Sequence, residues 1–311
     1  MVIVVPCYNE EHRLDVFRFG QFAADNPDSH FMFVDDGSTD GTSGLLRQLV
    51  NHHHLAMSML TLESNAGKAE AVRRGMLAAR ELDPAYVGFL DADLSTPLPA
   101  MLQCADVLKR CQQIQIVLGS RRPLYGREID RDPLRHTMGR LFATVAAGAF
   151  GVHVYDTQCG AKMFRAGQLL NDLFSQPFES RWIFDVEILA RLRASLGSEA
   201  VSSLRRVIYE LPLDQWRERA GSKLAARDYI RAIHELTSLF VKYRLYRQSD
   251  QALERTIVES TAVPDVQADS DEPHVRHIIP ISEGVRNATP KAKSNSQSNA
   301  QRTSHNSRRA A

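Results

Sequence analysis

The chain has 311 residues, 43% hydrophobic and 24% charged, and its 38 Lys and Arg against 37 Asp and Glu give a formal net charge of +1. That length buries one large core or two modest ones, and so balanced a charge carries no basic footprint for a nucleic acid, so nucleic-acid binding is not expected. The four cysteines, Cys7, Cys104, Cys111 and Cys159, form no Cys-x-x-Cys pair, which argues against a zinc site or a disulfide framework and predicts reduced thiols in a cytoplasmic protein.

Residues 2–5, Val-Ile-Val-Val, follow Met1 directly and form the β-branched run expected of a parallel strand buried on both faces. No charged leader or cleavage site stands before this run, so no signal sequence is expected. Pro6 ends it, and Cys7-Tyr8-Asn9-Glu10-Glu11 leads into a helical pattern with Leu14, Phe17 and Phe22 on one side. A second strand, 31–34, opens into Asp35-Asp36-Gly37-Ser38-Thr39-Asp40-Gly41-Thr42, and the next helix carries Leu45, Leu46 and Leu49, with Asp40 or Thr42 placed to cap it. The third strand, 56–62, ends in Asn65-Ala66-Gly67-Lys68, and its helix buries Val72, Met76 and Ala79. Strand four, 86–90, ends in Asp91-Ala92-Asp93. A helix over 99–111 then leads to strand five, 114–118, and to Gly119-Ser120-Arg121. Strand followed by helix, repeated at intervals of about 30 residues, predicts an α/β fold with a mostly parallel sheet covered on both faces.

The second half is less regular. A helix is expected over 132–150, a loop and short strand over 155–164, a helix with Asp185 and Glu187 over 182–196, and a strand over 205–211. Residues 224–246 read as an amphipathic helix, with Ile233, Leu236, Phe240 and Tyr243 on one face and Arg227, Arg231, Lys242 and Arg244 largely elsewhere. The longest apolar stretch, 141–154, is broken by Gly148, Gly151 and His153 and falls short of the roughly 18 residues of a membrane span, so no transmembrane helix is expected. From about residue 248 the chain is rich in Ser, Asn, Gln, Pro and charge. That composition predicts a disordered tail, 248–311, acidic over 265–272 and basic after 291.

The polar, acidic and glycine-bearing segments all follow strands, and ligands of open α/β sheets sit outside the carboxyl ends of their strands. Five loops are therefore expected to face one crevice. In an extended backbone Asp91 and Asp93 would point the same way and reach one ion, and their hard oxygens suit Mg2+ or Mn2+ shared with substrate phosphates. Taken alone, Asp91-Ala92-Asp93 reads as a solvated acidic turn and Asp35-Asp36-Gly37 as an ordinary turn; their company makes them a site. Gly67-Lys68 lacks the flanking residues of a P-loop, and Gly37, Gly41 and Gly44 do not make Gly-x-Gly-x-x-Gly, so neither an ATPase nor a dinucleotide dehydrogenase is favoured. His52-His53-His54 is read as a solvated loop, because consecutive residues do not share a face.

Val4-Val5-Pro6-Cys7-Tyr8-Asn9-Glu10-Glu11, Val34 to Asp40, Asn65-Ala66-Gly67-Lys68 and Asp91-Ala92-Asp93 together resemble the inverting family-two glycosyltransferases of GT-A fold. Asp156-Thr157-Gln158-Cys159-Gly160-Ala161-Lys162-Met163-Phe164, Arg181-Trp182-Ile183-Phe184-Asp185-Val186-Glu187 and Gly221-Ser222-Lys223 are similar to the dolichyl-phosphate β-glucosyltransferase branch. The similarity runs over about residues 2–245 and has no counterpart in the tail. It implies a domain over 1–247, with a nucleotide-binding half (1–122), an acceptor half (123–223) and the helix 224–247.

The resemblance implies a nucleotide-diphosphate sugar donor, UDP-glucose, and a polyprenyl-phosphate acceptor, with GDP-mannose or a soluble acceptor on the same fold as the nearest alternative. A non-catalytic sugar-nucleotide-binding protein is the alternative of another class. Pro6, Tyr8, Glu10 and Asp35 would hold the base and ribose with Asp36 beside them, and Lys68 would lie near the nucleotide. Asp91 would face ribose or metal, and Asp93 would bind the Mg2+ or Mn2+ bridging the diphosphate, with Lys223 or Arg219 closing over it. A polyprenyl phosphate is already anionic and attacks without losing a proton, so cations are wanted near it: Arg121, Arg135, Lys162 and Arg181 are the candidates. Arg121 reads alternatively as a surface ion pair, and Trp182 as core or as a sugar or lipid platform. Asp185 stands where related transferases carry their catalytic base, and reads as that base or as a ligand of sugar hydroxyls. Membrane-bound relatives carry anchors and this chain shows none, so 224–246 would either lie in the membrane interface or pack on the domain. The expected location is cytoplasmic, with a peripheral place on the cytoplasmic membrane face as the alternative.

Overall fold

The computed structural model describes residues 1–130, 139–140, 143–144, 147, 153–181, 183–196, 204, 206–218, 235–239 and 241–243. In chain order, β1 (Val2–Cys7), α1 (Val16–Asp25), β2 (His30–Asp35), α2 (Thr42–His52), β3 (Met57–Thr61) and α3 (Lys68–Ala79) lead to β4 (Tyr86–Leu90), α4 (Pro99–Arg110) and β5 (Ile116–Ser120). There follow β6 (Glu128–Asp130), β7 (Ala161–Arg165), α5 (Gln168–Phe174), α6 (Phe184–Ser195), β8 (Ile208–Pro212) and β9 (Gln215–Arg217). Seven strands make one sheet in the order β3-β2-β1-β4-β7-β5-β8, and β6 pairs with β9 in a separate ribbon. In the large sheet only β7 runs antiparallel to its neighbours, entering between β4 and β5.

β1 is buried on both faces, as its β-branched run predicts. Val2 and Val4 join a core cluster with α3, α5 and α6, while Ile3 and Val5 join a second with α1, α2 and α4. The period-two alternation of a strand thus divides one residue run between two helical layers. Gly75 lets α3 lie close against this wall: a Cβ there would stand 2.4 Å from Val4 Cγ1 and 2.7 Å from Val34 Cγ2.

Several local expectations are corrected. The residue that caps α2 is Gly41, with no side-chain cap bond, although Asp40 Oδ1 accepts the Thr42 N–H at 3.0 Å. Arg206 and Val207 are helical, so the strand expected from 205 begins at Ile208. Of the helix expected over 132–150, residues 139, 140, 143, 144 and 147 are described and are helical, and the tail 248–311 lies outside the described residues. In the 224–246 segment, Leu236 and Leu239 are buried and Tyr243 packs on the core, while Glu235 pairs with Ser180 and Lys242 with Glu179. The described part of that apolar face is therefore spent on the domain, the packing alternative. No helix among the described residues is long and apolar enough to cross a membrane, and all four cysteines are free.

Gly75→Ala is expected to lower stability by about 1–3 kcal/mol through overpacking at the α3–sheet contact. Gly44→Ala, where nothing lies within 4 Å of the added Cβ, is the control and should be neutral or slightly stabilising. Guanidinium unfolding midpoints of the two variants check this.

Candidate active site

The exits of β1 and β2 are stitched into one unit. Asn9 takes a left-handed conformation (φ 52°), which lets its N–H donate to Ser38 Oγ at 3.1 Å while its Oδ1 accepts the Thr39 N–H at 2.9 Å. The Glu10 N–H donates to Thr42 Oγ1 at 2.8 Å, and Glu11 Oε2 accepts the Gly41 N–H at 2.9 Å. Pro6 and Tyr8 stand half-buried in this seam. The Glu10 carboxylate turns to Arg13, whose Nε donates to it at 2.8 Å.

Asp35 and Asp36 are both buried but do different work. Asp35 Oδ1 accepts the Ser38 N–H at 3.0 Å, and its Oδ2 takes the Ser43 hydroxyl. Asp36 accepts the N–H groups of Ala66 (2.7 Å) and Gly67 (2.9 Å), and its own N–H donates to the Cys7 carbonyl at 2.8 Å. One residue thus ties together the exits of β1, β2 and β3. Burial lifts its carboxyl above the ordinary range, although the two amides and the charge of Arg181 oppose the lift. Gly37, at φ +65°, is needed beneath this latch, since a Cβ would meet the Ser64 carbonyl carbon at 2.6 Å.

The Asp91 and Asp93 pair sits in a turn, not in extended chain. β4 ends at Leu90; the Leu94 N–H reaches the Asp91 carbonyl at 3.3 Å, Leu94 adopts φ 53°, and Asp93 Oδ1 accepts the Ser95 N–H at 2.9 Å. Both carboxylates nonetheless act electrostatically on the same two cations, Arg13 and Lys68. Lys68, the first residue of α3, places Nζ 2.6 Å from Asp91 Oδ1. The Lys68 side chain is exposed along its length, and although crowding around the ammonium would lower its pKa, Asp91, Asp185 and Asp93 outweigh that and hold it above the ordinary lysine value. Opposite the turn, the Asp91 N–H donates to the Gly160 carbonyl at 3.1 Å, and a Cβ on Gly160 would fall 1.9 Å from Asp91 Oδ2.

Asp185 lies in the first turn of α6, buried. Its Oδ1 accepts from Lys162 Nζ at 2.6 Å, and that ammonium, fully buried on β7, also donates to the Cys159 carbonyl at 2.6 Å. Burial raises the Asp185 carboxyl, Lys162 and Lys68 pull it back, and Asp91 adds to the rise. Lys162, expected at an acceptor phosphate, is thus turned inward onto Asp185. Arg121 is likewise committed: its Nε and Nη2 bind Asp156 Oδ2 and Oδ1 at 2.7 and 2.8 Å, and it stacks 5.1 Å from the Trp216 ring. This pair is buried, not the surface ion pair of the alternative reading. Glu210 supports it by accepting the N–H groups of Tyr155 and Asp156 at 2.8 and 3.1 Å. Arg181 reaches the loop after β3, with Nη2 3.0 Å from the Ala66 carbonyl. Arg135, Arg219, Lys223 and Trp182 lie outside the described residues.

Two site residues escaped the sequence reading. Arg13 has a faint signal, its spacing of three from Glu10, which the turn before α1 brings together. Gly160 stands within the 156–164 segment that carries the resemblance, but nothing local ties it to Asp91, which lies far away in the chain and meets it through the β4–β7 pairing.

The model for glycosyl transferase family 2 matches residues 2–168, more than half of the chain. The chain belongs to this family. Dolichyl-phosphate beta-glucosyltransferase ALG5C of Trichomonas vaginalis is 31% identical over 265 residues, 80% of this chain and 74% of that protein. The dolichyl-phosphate beta-glucosyltransferase of Homo sapiens is 31% identical over 238 residues, 71% of this chain and 68% of the relative. The fold is GT-A: glucosyl-3-phosphoglycerate synthase from Mycobacterium tuberculosis, solved with Mn2+, uridine diphosphate and phosphoglyceric acid, superposes with a TM-score of 0.55 at 19% identity, over 77% of this chain and 78% of that one.

In this glycosyltransferase no trio of His, Cys, Asp or Glu is assembled for a metal among the described residues. Asp91 and Asp93, two hard carboxylates in one turn, nevertheless fit Mg2+ or Mn2+, which usually take one or two protein carboxylates and complete their shell with water and substrate phosphates.

Gly160→Ala is expected to displace the Asp91 carboxylate and cut glycosyl transfer by about 10²-fold, the cost of a misplacement near 1 Å. Circular dichroism and initial rates check it; full activity would show that Asp91 tolerates the shift.

Proposed function

We propose that this glycosyltransferase transfers glucose, with inversion, from UDP-glucose to a polyprenyl phosphate of the dolichyl kind, with Mg2+ or Mn2+ held by Asp91 and Asp93. The observation that carries the reading is the pair of adjoining ion pairs, Lys68–Asp91 and Lys162–Asp185, at the carboxyl end of the sheet. The names of the relatives supply donor sugar and acceptor class.

In this reading the stitched exits of β1 and β2, with Pro6, Tyr8 and Asp35, receive the uridine, and Glu10 holds Arg13 beside them. A divalent cation supplies Lewis-acid stabilisation of the leaving diphosphate. Lys68 stands beside the same charge, at the amino end of α3, where the helix dipole also favours an anion. Asp185, fixed by Lys162, meets the sugar. An acceptor phosphate oxygen forms the new bond to C1 of glucose from the side opposite UDP, and the C1–O bond breaks with its electron pair passing to UDP. The acceptor's oxygen has no proton to lose, so Asp185 orients hydroxyls and is not needed as a base. A polyprenyl chain lies in a bilayer, so the enzyme would act peripherally at a membrane. Residues 1–247 would be the catalytic unit, with 248–311 a tail outside the chemistry.

With polyprenyl phosphate as acceptor, UDP-glucose is expected to turn over with Mg2+ or Mn2+, and Asp93→Ala to lower the rate by about 10²–10³-fold with the fold retained. Turnover of GDP-mannose alone, or of soluble acceptors alone, would overturn the donor or the acceptor.

Asp185→Asn discriminates the acceptor chemistry. Transfer to a phosphate should fall about tenfold or less, whereas a hydroxyl acceptor would lose the 10²–10⁴-fold that a general base contributes. Because the Asp185 pKa is raised, its carboxyl protonates at a higher pH than an ordinary Asp as the solution is acidified. Any activity that needs the carboxylate should therefore decline on the acid side above the usual Asp range, and the Asn variant should lack that limb.

A further inference from the structure

We infer that Lys68 and the divalent cation compete for one oxygen, Asp91 Oδ1, and that Lys68 is a positioning residue which yields that oxygen as the donor diphosphate arrives. The inference rests on the metal and donor reading above and adds an order to it.

The Lys68 ammonium lies 2.6 Å from Asp91 Oδ1. Mg2+ bonded to the same oxygen would lie about 2.1 Å from it, so the two cations would stand within about 4.7 Å of each other. Two positive charges that close repel, and the repulsion favours displacing the one that is held less firmly. Lys68 is the one built to move: its side chain is 41% exposed, its ammonium is a compact charge on a flexible stem, and it stands at the first residue of α3, just after Gly67. Arg13, the other cation that feels Asp91 and Asp93, is held by Glu10. Lys162 is fixed by Asp185 and the Cys159 carbonyl. Among these three cations, Lys68 alone combines direct contact with Asp91 and an exposed stem.

The displaced ammonium loses the attraction of Asp91 and finds a replacement in the diphosphate, which the same metal draws in. Metal and diphosphate then assist each other's binding beyond their direct contact, and linkage makes that assistance reciprocal. Lys68 also shields the paired carboxylates from adventitious cations when no donor is bound.

The experiment measures Mn2+ binding to the full chain by the electron paramagnetic resonance signal of free Mn2+, with and without UDP, for wild type, Lys68→Gln, Lys68→Met and Lys68→Arg. Without UDP, the Gln and Met variants should bind Mn2+ about 5-fold or more tightly than wild type, and the Arg variant should stay near wild type. The factor by which UDP tightens Mn2+ binding should be several-fold smaller in Gln and Met than in wild type. Equal or weaker Mn2+ binding by Gln and Met, no Mn2+ binding by any of the proteins, or an unchanged UDP factor would overturn the inference. Should GDP and not UDP tighten Mn2+ binding to wild type, the donor reading fails, and the nucleotide-free comparison still decides the competition.

Discussion

The Asp36 carboxylate is the constraint on which the rest of the site depends. Its two oxygens are consumed by the amides of Ala66 and Gly67, and its own amide by the Cys7 carbonyl. Three chain segments that leave the sheet separately are thereby locked into one surface, without which Lys68, the residue that follows the latch, would have no fixed origin. A carboxylate satisfied by backbone amides tolerates burial that an unpaired one would not, and the raised pKa records the remaining desolvation.

Beyond that latch the site is an alternation of sign. Glu10, Arg13, the Asp91 and Asp93 pair, Lys68, Asp185 and Lys162 follow one another, each acting on groups of opposite charge. Alternation sets cations among the four carboxylates and offsets part of the repulsion between them. In the proposed function, charges placed in this way beforehand would stabilise a leaving diphosphate with little rearrangement at the moment of reaction.

The sequence was most legible where chemistry is local. Strand exits, the order of the loops and the two-faced burial of β1 follow from short-range pattern alone. It misled where geometry was assumed: Asp91 and Asp93 were expected to converge by strand alternation, and a turn with Leu94 in the left-handed region replaces that. Cations were the other failure. Lys162 and Arg121 carry the residue types that grip phosphate, but their partners Asp185 and Asp156 lie 23 and 35 residues further along, and no local pattern reveals such a pairing. The role of Gly160 was hidden for the same reason, since its demand for space comes from a carboxylate in the turn after another strand.

The reversed strand β7 has a consequence for biosynthesis. β4 and β5 are synthesised consecutively, yet their shared neighbour is a strand made some forty residues later, and β5 also awaits β8. As the chain leaves the ribosome, β1 to β4 can assemble while β5 has nowhere to go. The open flank of β4 then remains a template for a foreign strand until residue 165 emerges. The same insertion that seats Gly160 beneath Asp91 therefore makes nascent intermediates vulnerable to misassembly, and ties completion of the sheet to completion of the candidate site.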